Sequence, residues 1–332
     1  MSDLLDFCDK MCYSRRVVRV SSSDIIRTQR HLRVERQMKL RGIVPPIVTP
    51  LHGDETVHDE QLRRVTEHLL AAGVHAIFVN GSMGAFNLLA DAEQYRAIGI
   101  VVDQVAGRVP VMAGVSDTAT RLVIEKAHRA EALGADCLSV LPPYYGKFSR
   151  PQLVRFYREV ARNVGLPVFA YNNPWTTLSN IDAATLVELA DEPNFVGIKD
   201  SCNNAIQYQD VIRRLGGRPD FSILLGTTHL TSYGLFLGAD GIIEGLHHLK
   251  PEWAVAIWNA AQAGDWNAVT DYQLKLESLI PFAMHGEVWG GVELALQELG
   301  LCDKITAHPF VPMSDPKEIA EVKALVRDLL LA

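Results

Sequence analysis

Lys199 is the side chain with the most reactive prospects, because it follows the apolar, β-prone run Phe195-Val-Gly-Ile198. Such a run has the pattern of a strand buried on both faces, and a lysine is almost never fully buried without a reason. At the mouth of a buried strand an amine is partly desolvated, which favours the neutral form that attacks carbonyl carbon to give a Schiff base. The competing reading is a lysine that reaches out to solvent or pairs with Asp200. Residue type alone leaves both open. Other groups with chemistry are Tyr171, whose phenol can shuttle protons, the hydroxyl of Ser82 in Gly81-Ser-Met-Gly84, Tyr145, and the carboxyl of Glu244. His247 and His248 are adjacent and would diverge on a strand, so a metal site built from the pair is not expected.

What would position these groups is an alternation of short and long segments beginning at Gly42. The β-prone runs are Ile43–Val48, Ala76–Val79, Val109–Ala113, Cys137–Leu141, Pro167–Ala170, Phe195–Ile198, Ser222–Leu225 and Gly241–Ile243. Amphipathic helical segments lie between them, with Gly73, Gly134, Gly165 and Gly238 placed as left-handed C-caps and Pro151 and Pro251 as helix starts. Strands alternating with helices imply right-handed crossovers and a parallel sheet. Eight units in about 210 residues match an α/β fold of the (β/α)8 TIM-barrel type; an open doubly wound sheet is the alternative, but no GxGxxG follows the first strand. After Gly245 the strand signals stop, and residues 251–332 read as a C-terminal helical appendage on a barrel spanning 39–250. Trp253, Trp258 and Trp266 at helical spacing read as packing residues. Residues 1–38 form an extension rich in arginine and serine, yet Asp3, Asp6 and Asp9 are foreign to a mitochondrial presequence. An extra arm or an early start codon accounts for it equally.

Composition narrows the function classes. Of 332 residues, 48% are hydrophobic and 21% charged, as in ordinary globular proteins. A net charge of −7 argues against nucleic acid as a partner, and no apolar run reaches the length of a membrane span. Five cysteines without CxxC spacing suit free thiols in a reducing compartment, so the cytoplasm is expected.

Active sites of such barrels lie at the C-terminal ends of the strands. Collected there are Thr49-Pro50, Gly81-Ser82-Met83-Gly84, Pro142-Pro143-Tyr144-Tyr145, Tyr171-Asn172-Asn173-Pro174, Lys199 and Ile243-Glu244-Gly245. This set resembles the pyruvate-dependent class I aldolase family that includes dihydrodipicolinate synthase and N-acetylneuraminate lyase. That family carries Gly-(Ser/Thr)-x-Gly after strand two, Pro-Tyr-Tyr after strand four, Tyr-Asn-x-Pro after strand five and Gly-(Ile/Val)-Lys on strand six. All four occur here in order, and Gly134-Ala135-Asp136 before strand four adds to them. The resemblance runs from about residue 39 to the C-terminus.

The resemblance implies pyruvate or another 2-keto acid as substrate, with Lys199 attacking its C2 carbonyl. The protonated imine that results is an electron sink, so no further cofactor and no metal is implied. It also implies that the Ser82 turn binds the carboxylate through backbone N–H groups and its hydroxyl. Tyr171 would shuttle protons, and Tyr145 would complete a hydroxyl relay through Ser82 across a dimer interface, giving a homodimer or homotetramer. Met83, Ile243, Glu244 and Thr176 would line the substrate site.

Departures from the family pattern matter as much. The arginine that dihydrodipicolinate synthase carries after Tyr-Asn-x-Pro is missing from Trp175-Thr-Thr-Leu178, and Met83 and Ala85 replace a hydroxyl and a carboxylate. The expected activity is therefore a lyase joining or cleaving pyruvate and an aldehyde, or acting on a 2-keto-3-deoxy acid, rather than the dihydrodipicolinate condensation. A dehydratase using the same imine and a non-catalytic pyruvate-binding relative are the alternatives. A phosphate-binding isomerase barrel would need Gly226-Thr-Thr228 as its phosphate loop, where Glu244 would repel the ligand.

Overall fold

Two consecutive prolines decide how the sheet closes. The computed structural model describes residues 38–331, so the expected N-terminal extension, with Cys8 and Cys12, lies outside the described residues except for Met38. Eight parallel strands run in the order β1-β8-β7-β6-β5-β4-β3-β2. They are β1 Gly42–Ile43, β2 Ile77–Val79, β3 Val111–Gly114, β4 Cys137–Val140, β5 Val168–Asn172, β6 Phe195–Asp200, β7 Ser222–Leu225 and β8 Gly241–Ile242. The expected first strand is cut to two residues because Pro45 and Pro46 have no N–H to give to a ladder. The chain still meets β2: Phe78 N donates to Pro45 O at 3.0 Å and Ile47 N donates to Phe78 O at 2.8 Å. Those bonds and the Pro46–Phe78 bridge close the curled sheet into a barrel.

Ladder length varies around the barrel. The β5–β6 ladder runs from Val168 and Phe195 to Asn172 and Asp200, and β6 pairs β7 from Gly197 to Asp200. By contrast, β8 meets each neighbour over two residue pairs only.

The outer ring is α1 Asp59–Ala71, α2 Asp91–Val105, α3 Thr120–Leu133, α4 Arg150–Arg162, α5 Ala183–Leu189, α6 Ala205–Leu215, α7 Thr231–Leu237 and α8 Pro251–Ala263. Helix α8 packs on β1 and α7, so a division at residue 250 separates the barrel from its own eighth helix. Start and stop signals act locally. Ser149 and Gln152 form a capping box on α4, and Gly134 and Gly238 end α3 and α7 in the left-handed region, each with φ 93°. Gly165 does not act as such a cap, because α4 stops at Arg162 with Asn163 as its C-cap.

Apolar residues separate into two cores, as strand alternation requires. Phe78, Met112, Cys137, Phe169, Tyr171, Leu224 and Ile243 form the cluster inside the barrel; a larger cluster joins the outer strand faces to the helices. Burying each such large side chain stabilises the fold by roughly 1.5–3 kcal/mol.

Three further helices close the chain's fold: α9 Trp266–Glu277, α10 Gly290–Glu298 and α11 Pro316–Leu325. They return to the barrel mouth. Gln273 of α9 donates from Nε2 to Thr228 O at 2.9 Å, and Leu51 N donates to Lys304 O at 2.8 Å. Buried Glu293 of α10 accepts from the amides of Ile305 and Thr306. Trp258 is buried edge-on to His75, whereas Trp266 stays partly exposed against Phe236. No described helix is long and apolar enough to cross a membrane.

Candidate active site

Lys199 lies within β6 rather than beyond its end, because the ladder continues through Asp200. Its Cα partners are Tyr171 on β5 and Leu224 on β7. Alternation sends Lys199 into the barrel and Asp200 outward. There the Asp200 carboxylate accepts from Asn172 Nδ2 at 3.0 Å and Cys202 N at 2.9 Å. Burial raises the Asp200 carboxyl against these donors. The pairing of Lys199 with Asp200 is thus excluded by the strand, and so is the solvated lysine: Lys199 is 4% exposed.

The ammonium rests on aromatic faces, 3.8 Å from the Tyr171 ring centroid and 4.9 Å from that of Phe78. Phe78 in turn meets Tyr171 edge-on. Gly226, just past β7, makes room for the lysine stem. A Cβ there would lie 3.1 Å from Lys199 Cε and 2.1 Å from Ser201 Oγ.

Tyr171 is buried, and its hydroxyl bonds Ser82 Oγ at 3.2 Å, with Asn173 Nδ2 at 3.5 Å. Burial pushes this phenol up, but the Lys199 charge and the bonds from Ser82, Lys199 and Asn173 outweigh it, leaving the group below its usual range. A phenol so placed exchanges its proton more readily than an ordinary tyrosine.

Ser82 opens a single 3-10 turn, Ser82–Gly84, behind β2. The turn is held by the buried Thr49 hydroxyl, which donates to Gly84 O at 2.8 Å. As the first residues of the turn, Ser82 and Met83 have amides with no acceptor within it. The Met83 side chain is buried and crosses to β8, where its sulfur lies 3.0 Å from the β-position of Gly245.

Glu244 follows β8 and is half-buried. Its Oε2 accepts from Leu246 N at 2.8 Å, capping a 3-10 turn over Gly245–His248. Burial raises this carboxyl, opposed by the Leu246 amide, the Thr228 hydroxyl, the Gly245 amide and the Lys199 charge. His247 and His248 ride on that turn, not on a strand. His248 Nε2 accepts from Val48 N and its Nδ1 donates to Gly245 O, so His248 itself has no nitrogen for a metal. Among the described residues no group of three or more His, Cys, Asp or Glu could hold a metal ion.

The structure thus gathers Lys199, Tyr171, Ser82, Met83, Ile243 and Glu244 around the mouth. It does not bring in the other two residues expected there. Tyr145 is 96% exposed with φ 82°, an uncommon conformation for a bulky residue. Thr176 is exposed on the one-turn helix Pro174–Thr177, its hydroxyl donating to Asn173 O at 3.2 Å. Two residues that the sequence offers only as part of a phosphate loop also stand at the mouth: Gly226 directly follows β7, and Thr228 lies two residues further on.

A parallel eight-stranded barrel with a buried lysine, a phenol and a hydroxyl converging at its mouth defines an enzyme-type barrel. The comparisons identify the family. The Dihydrodipicolinate synthetase family matches residues 39–329, and the chain belongs to it. The chain is 32% identical to the 4-hydroxy-tetrahydrodipicolinate synthase of Phenylobacterium zucineum (strain HLK1), over 87% of this chain and 97% of that one. It is 31% identical to the "Probable 2-dehydro-3-deoxy-D-pentonate aldolase YjhH" of Escherichia coli (strain K12), over 87% and 96%. Among solved structures, YagE of E. coli K12, in complex with pyruvate, superposes with a TM-score of 0.81 at 29% identity, covering 88% of this chain and 99% of that one. The family is one of lyases, and the barrel expectation agrees with these neighbours.

Proposed function

We propose that the protein is a Schiff-base aldolase that joins pyruvate to an aldehyde, or cleaves the corresponding 4-hydroxy-2-keto acid. The observation that carries this is the buried amine of Lys199 lying on the ring of a tyrosine whose hydroxyl bonds Ser82. The neutral amine attacks C2, and the carbonyl oxygen takes a proton from Tyr171. The carbinolamine then loses water to give the protonated imine. The Tyr171 phenolate takes a proton from C3 to give the enamine, whose C3 bonds to the aldehyde carbon while the aldehyde oxygen takes that proton back from Tyr171. Water hydrolyses the protonated imine, releasing the keto acid and neutral Lys199 and returning a proton to Tyr171.

The Ser82 hydroxyl and the Ser82 and Met83 amides bind the substrate carboxylate, with Met83, Ile243 and Glu244 bounding the space beyond. Tyr145, exposed in the single chain, completes the proton relay from a second copy, so the working form is a homodimer or homotetramer. The turn after β5 argues against dihydrodipicolinate formation: Trp175 is exposed, Thr176 is turned back on its own backbone, and no cation stands there.

A second reading, dehydration of a keto-deoxy acid through the same imine, is favoured by Glu244, an acid at the end of β8 whose carboxyl burial raises above its usual range. Borohydride added to enzyme and pyruvate, followed by peptide mass analysis, tests the shared step. We expect one reduced adduct on Lys199, absent in Lys199→Ala. No adduct in the wild type overturns both readings, and the enzyme is then a non-catalytic relative. With an adduct, release of pyruvate from keto-deoxy acids marks the aldolase.

A further inference from the structure

We propose that Gln94, fixed in place by the buried Lys126, is a positioning residue for the Ser82–Gly84 turn and so sets how tightly the keto-acid carboxylate is held. The inference deepens the aldolase reading and rests on it, since that reading gives this turn the carboxylate.

Gln94 stands on α2 and is 5% exposed. It bonds the chain on both flanks of the turn. Before the turn, Asn80 Nδ2 donates to Gln94 O at 2.9 Å. After it, Gln94 Nε2 donates to Phe86 O at 2.8 Å and to Leu89 O at 3.0 Å. Between these anchors the backbone is one bonded run: Gly84 N donates to Gly81 O, Ala85 N to Ser82 O and Leu88 N to Ala85 O. Ala85, at φ 52°, joins the 3-10 turns Ser82–Gly84 and Phe86–Leu88, and Asn80 has φ 58°. Left-handed residues other than glycine persist only where their surroundings over-determine them. Gln94 constrains the chain next to both.

The Gln94 amide has one productive orientation, and Lys126 sets it. Lys126 of α3 is 6% exposed, and its ammonium lies 2.8 Å from Asp117, 2.9 Å from Asp91 and 3.4 Å from Gln94 Oε1. The two carboxylates compensate the buried charge. An ammonium donates and never accepts, so the amide oxygen faces it and both N–H groups are left for the Phe86 and Leu89 carbonyls. Gln94 and Lys126 both come from helices rather than strand ends, and they act through the turn. A turn released from Gln94 would misdirect the Ser82 hydroxyl and the Ser82 and Met83 amides, and hydrogen bonds weaken steeply with angle.

The test follows borohydride trapping on Lys199 as pyruvate concentration is raised, with acetone, which has no carboxylate, as the comparison. In Gln94→Met, which keeps length and loses both donors, half-saturating pyruvate should rise by about 10- to 100-fold, as for weakened hydrogen bonds to a charged group. The limiting trapping rate per folded enzyme and the rate with acetone should each change by less than about threefold, because only binding is lost. Gln94→Glu keeps the shape and, paired with Lys126, offers no N–H; it should act alike and carries the test if Gln94→Met fails to fold. Lys126→Met frees the amide to turn and should raise half-saturating pyruvate by at least about threefold. General loosening of the fold would instead lower the amount of active enzyme and leave half-saturation where it was. Unchanged half-saturation in either Gln94 variant or in Lys126→Met overturns the proposal, as does a loss with acetone equal to that with pyruvate. A wild type that traps pyruvate no better than acetone overturns the carboxylate role of the turn, and one that traps no pyruvate overturns the imine reading; both are results separate from the role of Gln94.

Discussion

Gly226→Ala probes how the amine is held. The new methyl would stand 2.1 Å from Ser201 Oγ and 3.1 Å from Lys199 Cε. Because Gly226 does not have positive φ, alanine meets no backbone strain and the effect is steric. The serine hydroxyl can rotate away, but the lysine stem lies between β5 and β7 and must move by about 0.5 Å to restore an ordinary carbon–carbon contact. Overpacking of this kind costs about 1–3 kcal/mol, or about 2–6 °C in Tm for a chain of this size. Misplacement of a nucleophile by up to about 1 Å slows reaction by about 10- to 100-fold. The assay is the rate of borohydride-trapped pyruvate adduct on Lys199, measured beside thermal melts. Adding Ser201→Ala removes the contact that rotation already relieves, so the double variant should keep both the lowered Tm and the slow trapping. The reasoning is refuted if Gly226→Ala traps pyruvate at the wild-type rate, or if the double variant recovers trapping along with stability.

Tyr171→Phe removes the proton carrier and should lower kcat by about 10²- to 10⁴-fold. The same residue sets a pH signature. Its phenol sits below the ordinary range, so as pH rises the proton is lost early, and the alkaline limb of kcat/KM should begin below pH 10 and be absent from the variant. Buried His247 and His248 are pushed down to about 3 and about 4, mainly by burial. With folded values below the unfolded one, stability is full above about pH 6.5 and is lost as pH falls, by about 1 kcal/mol per pH unit for each histidine. Melts between pH 8 and 4.5 should show that slope. His247→Met should shallow it, because neither ring nitrogen of His247 has a partner among the described residues.

The alternation of β-prone and amphipathic runs was legible because it is a property of consecutive residues, and so was the lysine at the end of an apolar run. Pairing was not. That β6 continues two residues past Ile198 depends on β5 and β7 offering partners to Lys199 and Asp200, and this turns the lysine from a residue at the rim into one inside the barrel. The same limit applies to Pro45-Pro46, which reads as part of a strand by hydropathy yet cannot join a ladder. His247-His248 was read as strand-like, but the Glu244 carboxylate caps the backbone into a turn instead. Thr228 and Gly226 carry no distinctive signal as residues. Their meaning comes from the neighbouring staves, a carboxyl after β8 in one case and the lysine stem on β6 in the other. Tyr145 and Thr176 show the reverse: motif position named them, but within one chain both are exposed.

The uneven ladders divide the barrel's labour. Lys199 and Tyr171 sit on the staves with the longest pairing, while the turns carrying Ser82 and Glu244 follow β2 and β8, flanking the seam that Pro45 and Pro46 leave sparsely bonded. In a ring of eight, that seam lies diametrically across from the β5–β6 pair. Substitutions there at Met83 or Glu244 can therefore alter what is admitted without touching the Lys199–Tyr171 pair, whereas Ser82, bonded to Tyr171, is held to its place. A lineage built on this barrel can change its acceptor by drifting on one side while the reaction itself is inherited on the other.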